Sequence, residues 1–171
     1  PEEEARKATE RIDIAEIERL KALQAAGFDQ TNPSDYCRQV NQVLWPRQMG
    51  RPESLLQMRS DPCQYENEWL PNLAEHQRIH FTQAAWQRDW RQRAKRIRAA
   101  TLIVHGTEDL VPLAAAGDWA AFIPDARLLV LEGAGHFLHL ESAERFFIAV
   151  DWFLWGGWPD DALVVSPPEA G

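Results

Sequence analysis

The chain has 171 residues, 45% of them hydrophobic, and a formal net charge of −8. That is the size and composition of one ordinary soluble domain, and the acidic balance gives no reason to expect nucleic acid or an anionic membrane as a partner. No apolar run reaches the roughly 18 residues that a membrane-spanning helix needs. There are two cysteines, Cys37 and Cys63. They are too few for a disulfide framework and form no C-x-x-C pair, so two reduced thiols are the expectation. No signal peptide is visible, although the chain opens on Pro1, and a cytoplasmic location is expected.

The pattern changes near residue 98. Before it, only helices are predicted. Residues 2–26 are charge-rich, with Ile14, Ile17, Leu20 and Leu23 along one side and Gly27 as a stop. Asn32-Pro33 reads as a turn, with Ser34 as the N-cap of a second helix that carries Tyr36, Val40, Val43 and Leu44 and ends at Pro46. A short third helix is predicted from Pro52, with Leu55, Leu56 and Met58, and a fourth over residues 71–86.

After residue 98 the order is strand, helix, strand, helix. Residues 101–105 are apolar and partly β-branched and stop at Gly106, the pattern of a strand buried on both faces. Residues 112–122 read as a helix with Pro112 near its start, and Pro124-Asp125 as a turn. Residues 127–132 read as a second buried strand, followed by the glycine-rich turn 133–136 and an amphipathic helix over 141–154 that Gly156-Gly157 stops. The residues from Pro159 to the end, with Pro159, Pro167 and Pro168, are expected to be a loose tail. This order implies two parallel strands joined by a crossover. Two such strands do not make a stable sheet by themselves, so the first should have a neighbour on its outer edge that these residues do not supply.

Asp109 falls in the loop after the first strand and His136 in the loop after the second. Catalytic groups gather at the carboxyl ends of parallel strands, so both side chains should emerge at one sheet edge. A carboxylate bonded to one imidazole nitrogen fixes the tautomer and leaves the other nitrogen able to take a proton from a nucleophile. Each residue alone is more simply read as structural; the pair in this order reads as acid and base.

The segments TLIVHGTEDLVPL (101–113) and RLLVLEGAGHFLHLE (127–141) resemble the last two strands and loops of α/β-hydrolases. The resemblance implies an α/β fold, here the C-terminal part of an α/β-hydrolase, incomplete without an N-terminal half. It divides the chain into a helical cap (1–98), the C-terminal part of the core (99–156) and a tail (157–171). It also implies Asp109 as the triad acid and His136 as the base, with the nucleophile and oxyanion hole upstream. The cap segment CQYENEW (63–69) and the stretch DWFLWGGWP (151–159) are most similar to proline-iminopeptidase members, which use cap carboxylates to hold a free amine. Glu66, Glu68 and Trp69 are the candidate substrate-binding residues on that basis.

No G-x-S-x-G occurs: Ser34, Ser54, Ser60, Ser142 and Ser166 all lack the flanking glycines. The expected partner is therefore the N-terminal half of the same hydrolase, and the expected reaction is serine-type hydrolysis of peptides with a free amino end or of small esters and amides. The alternatives are a non-catalytic remnant or binding module, or an Asp-nucleophile dehalogenase or epoxide hydrolase. No cofactor and no metal are expected: His76 and His80 stand at i and i+4 but lack the glutamate of H-E-x-x-H and a third ligand. The basic run around Arg88–Arg98 reads as a solvated connector, His105 as structural, and His139 as packing behind His136. Trp45, Trp69, Trp86 and Trp90 either line an apolar substrate pocket or fill the cap core.

Overall fold

The computed structural model describes residues 13–64, Asn72, His76 and 90–167. The first described helix, α1 (Ile14–Ala25), is capped by Asp13, whose carboxylate accepts the amides of Ala15 and Glu16. Leu20 is its buried residue, whereas Ile14 is largely exposed. A single turn, α2 (Phe28–Thr31), leads into α3 (Pro33–Leu44). The N-cap of α3 is Asn32 and not Ser34, because Pro33 takes the first helical position, where its missing N–H costs nothing. After α3 the chain tightens into two 3-10 turns, Trp45–Gln48 and Pro52–Gln57. The second occupies the place of the predicted third helix. The fourth predicted helix lies mostly outside the described residues, although Asn72 and His76 are helical.

Cys37 on α3 and Cys63 are not free thiols but form a disulfide, with their Cα atoms 5.7 Å apart. The sequence separation of 26 hides this pairing, which needs the packing of α3 against the segment that follows Met58 to bring the cysteines together. Disulfides persist in oxidising compartments, so this bond and the cytoplasmic expectation pull in opposite directions.

From residue 91 the elements are α4 (Arg91–Ala94), β1 (Thr101–Gly106), α5 (Leu113–Phe122), β2 (Ala126–Leu131), α6 (Leu138–Glu141) and α7 (Ala143–Leu154). β1 and β2 pair in parallel, with Thr101 opposite Ala126 and Gly106 opposite Leu131. The two-residue period of β2 separates its faces. Leu129 and Leu131 meet Ala149, Phe146 and Leu138 from the α6–α7 side, while Leu128 and Val130 meet Ala116, Ala120 and Leu113 of α5. The helix predicted over 141–154 starts two residues later, at Ala143: Ser142 (φ −136°, ψ 45°) leaves the helical region, and Glu141 belongs to the separate turn α6.

β2 is buried as expected, but the first four residues of β1 are only half-buried. Among the described residues, no strand pairs with the outer edge of β1. The edge of β2 is paired at one position: Leu163 and Leu128 exchange both backbone hydrogen bonds, at 2.8 and 2.9 Å, in an antiparallel bridge. Ala162 and Val165 also pack into the two cores beside this bridge. Part of the predicted loose tail is thus a sheet neighbour, bound through apolar residues that lie between its prolines. On α7, Phe147, Ile148, Trp152 and Leu154 are all more than half exposed, an apolar surface of the kind that packs against further protein. No described helix is long and apolar enough to cross a membrane.

Of the basic run, the described residues from Arg91 on are mostly exposed. Arg91 pairs with Asp118 at 3.1 Å and lies over Trp90 and Phe122, and Trp90 stacks on Trp119 at 3.9 Å between ring centroids. Trp90 therefore fills the contact between α4 and α5.

Candidate active site

The loops that follow β1 and β2 are joined along their backbones. Thr107 N–H donates to Leu131 O at 3.1 Å and Glu108 N–H to Ala134 O at 2.9 Å, while the Thr107 hydroxyl accepts from Gly133 N–H at 2.9 Å. The approach is so close that a Cβ on Gly106 would lie 2.1 Å from Ala134 O. This is why the first strand ends on glycine: any side chain there would drive the two loops apart.

That junction sets Asp109 against His136. His136 Nδ1–H donates to Asp109 Oδ2 at 2.9 Å, and Asp109 Oδ1 accepts Val111 N–H at 2.9 Å. The Asp109 side chain is only 8% exposed, whereas that of His136 is 52% exposed. The acid is enclosed and the imidazole reaches outward. With Nδ1 holding its proton toward the carboxylate, neutral His136 carries its lone pair on Nε2, the tautomer a general base needs. Burial alone would raise the Asp109 carboxyl, but the hydrogen bonds from His136 and Val111 and the nearby imidazoles outweigh it and hold it below the ordinary carboxylate value. His136 is raised above the ordinary imidazole value, first by its hydrogen bond to Asp109 and also by that residue's charge, against partial burial.

His105 is buried, with Nδ1 2.8 Å from Gly106 O. Its Nε2 lies 3.9 Å from Asp109 Oδ2, too far for a hydrogen bond. His139 does not pack behind His136: it is exposed and its ring neighbours are Phe137 and Phe146. Glu66, Glu68, Trp69 and Trp86 lie outside the described residues, as does His80. Among the described residues no group of three His, Cys, Asp or Glu is placed to hold a metal.

A cavity of about 210 Å³ lies between α3 and the segment around Met58, lined by Trp45, Leu55, Met58, Asn41 and Arg38. Trp45 touches Phe137 (5.3 Å between ring centroids), and Phe137 stands edge-on to His136 at 5.9 Å. Two aromatic rings thus connect this cavity to the imidazole. Among the described tryptophans Trp45 lines it and Trp90 does not.

Sequence reasoning assigned no role to Glu141, Gln48 or Arg51. The His136 amide donates to Gln48 O at 2.7 Å, and a Cβ on Gly135 would lie 2.3 Å from that same oxygen. The Glu141 carboxylate accepts from Gly135 and Arg51 amides. Glu141 closes the segment RLLVLEGAGHFLHLE (127–141) that carries the family resemblance, but its partners, up to 90 residues away, leave no mark in the sequence.

A parallel strand pair with an acid after one strand and a histidine after the next defines the class, and comparison with known families agrees. A family model described as alpha/beta hydrolase fold matches residues 25–143, and the chain belongs to that family. A curated relative is a 2-hydroxymuconate semialdehyde hydrolase from Pseudomonas putida, 46% identical over 55 residues, which are 32% of this chain and 20% of that protein. The match thus spans a fifth of the relative's length. No solved structure matches the chain.

Proposed function

We propose that this chain supplies the acid and the base of an α/β-hydrolase triad, with Asp109 as acid and His136 as base, and that the nucleophile and oxyanion hole come from an N-terminal half. The observation that carries this reading is the 2.9 Å contact between an enclosed carboxylate and an outward-facing imidazole at the ends of adjacent parallel strands. In the reaction, Nε2 of His136 takes the proton of the nucleophile's hydroxyl as its oxygen bonds to the substrate carbonyl carbon. The imidazolium then returns that proton to the leaving group as the carbonyl re-forms and the bond to the leaving group breaks. The residues before about 98 act as the cap over this site, and the outer edge of β1 and the apolar surface of α7 are where the missing half packs.

The test is co-expression. Expressed alone, the chain should be aggregated or molten; expressed with a nucleophile-bearing half, it should become soluble and hydrolyse a small activated ester. A sharp cooperative melt of the isolated monomer would contradict the two-part reading.

For the substrate, we favour peptides with a free amino end, with Glu66, Glu68 and Trp69 as the binding residues and the two glutamates as partners of the amine. Glu66→Gln or Glu68→Gln should then impair cleavage of free-amine substrates and spare simple esters, measured as paired kcat/KM values. Equal losses on both would favour a general esterase. A second reading has one specific support, the similarity to the Pseudomonas putida protein: the substrate is a small molecule like the 2-hydroxymuconate semialdehyde of that protein's name. Turnover of such a compound, with none of amine-terminal peptides, would select it.

A further inference from the structure

We propose that Glu141 is the positioning residue for His136, a buried carboxylate that holds the imidazole's loop against the segment 48–51. This inference rests on the assignment of His136 as the base. Glu141 is the last residue of α6 and only 6% exposed. A carboxylate there costs desolvation unless both oxygens are satisfied. Both are: Oε2 accepts the Gly135 amide at 2.7 Å and Oε1 accepts the Arg51 amide at 2.6 Å. The Arg51 guanidinium returns across the same contact and donates to the Glu141 backbone carbonyl. Hydrogen bonds to an ionised acceptor are shorter and stronger than neutral ones, and two on one carboxylate fix both segments at once.

Gly135 immediately precedes His136, whose own amide is held by Gln48 O at 2.7 Å. The backbone on the N-terminal side of the imidazole is therefore pinned at two consecutive amides, one through Glu141 and one through Gln48. Gly135 itself has no room to adjust, since even a Cβ would lie 2.7 Å from Met49 Cα. Asp109 sets the ring from Nδ1, and Glu141 sets the backbone from which the ring projects. Glu141 also makes the site depend on residues 48–51, which begin at the last residue of the 3-10 turn Trp45–Gln48. Through it the helical first half and the catalytic loop share one anchoring group.

The test compares Glu141→Gln with His136→Ala in the assembled enzyme. Glutamine keeps the shape but presents an NH2 group where the second amide needs an acceptor. Misplacement of a catalytic group by about 1 Å costs on the order of 100-fold. Glu141→Gln should therefore lower kcat on a small activated ester by about 10- to 100-fold with KM little changed, and should broaden or remove the low-field NMR proton of His136 Nδ1–H. A merely structural glutamate would lower the melting temperature while the folded fraction kept both kcat and that signal; this result would overturn the proposal. If Glu141→Gln does not fold, Glu141→Asp carries the same two readouts, since its carboxylate is one methylene too short to reach both amides. Full activity in His136→Ala would sink the assignment of the base. An inactive His136→Ala beside an unaffected Glu141→Gln would sink the positioning role alone.

Discussion

His136→Ala in the assembled enzyme should abolish the acylation burst with a small activated ester. With Nδ1–H committed to Asp109 at 2.9 Å, Nε2 is the nitrogen that can take the nucleophile's proton. Without it a serine hydroxyl keeps its proton and stays a poor nucleophile. In the serine-protease template, loss of the histidine costs about six orders of magnitude in kcat, and what remains comes from binding and the oxyanion hole. The variant should fold, because the side chain is half exposed and its removal opens no core cavity. His139→Ala is the control: that ring is exposed and faces Phe137 and Phe146 instead of the acid. Both variants are to be compared at equal folded fraction by burst amplitude and rate. If His139→Ala is as inactive as His136→Ala, or if His136→Ala keeps its burst, the base has been misassigned.

The strands were readable because buried parallel strands carry their signal locally. Residues 101–105 and 127–132 foretold Thr101–Gly106 and Ala126–Leu131 to within a residue, and the position of Asp109 and His136 after those strands foretold their adjacency. Features that depend on distant partners were not readable. The Cys37–Cys63 bond needs two segments 26 residues apart to meet, and the Glu141–Arg51 contact joins groups 90 residues apart. Neither leaves a periodic trace. Other differences were competitions between local rules. Pro33 took the first helical position and moved the N-cap from Ser34 to Asn32. The helix predicted from Glu141 begins instead at Ala143, because Ser142 leaves the helical region; Glu141 closes the preceding turn α6, and its carboxylate reaches the Gly135 amide. The prolines near the C-terminus suggested a loose tail, yet Ala162, Leu163 and Val165 between them were apolar enough to dock on β2.

Asp109→Asn should preserve the geometry and still lose about four orders of magnitude in kcat, the cost of this change in the serine-protease template. An asparagine can present its NH2 group to Nδ1, which stabilises the tautomer with the proton on Nε2 and blocks proton abstraction. It also removes the charge that supports the imidazolium. The pH behaviour provides an independent check. Since His136 must be neutral to act as base, the acid limb of kcat/KM should lie above the ordinary imidazole value of about 6.5. Loss of the hydrogen bond and charge of Asp109 removes what raises His136, so the residual activity of the variant should show that limb at lower pH. Stability follows the same linkage. The raised His136 contributes stability fully present below about 6.5 and lost as pH rises through its folded value. The lowered Asp109 contributes stability present above about 3.8 and lost as pH falls through its folded value. The pair therefore stabilises most between those two ordinary values, and the melting temperature of Asp109→Asn should fall furthest behind the parent in that window. An Asp109→Asn enzyme with nearly full activity and an unmoved acid limb would show that this carboxylate is not the triad acid.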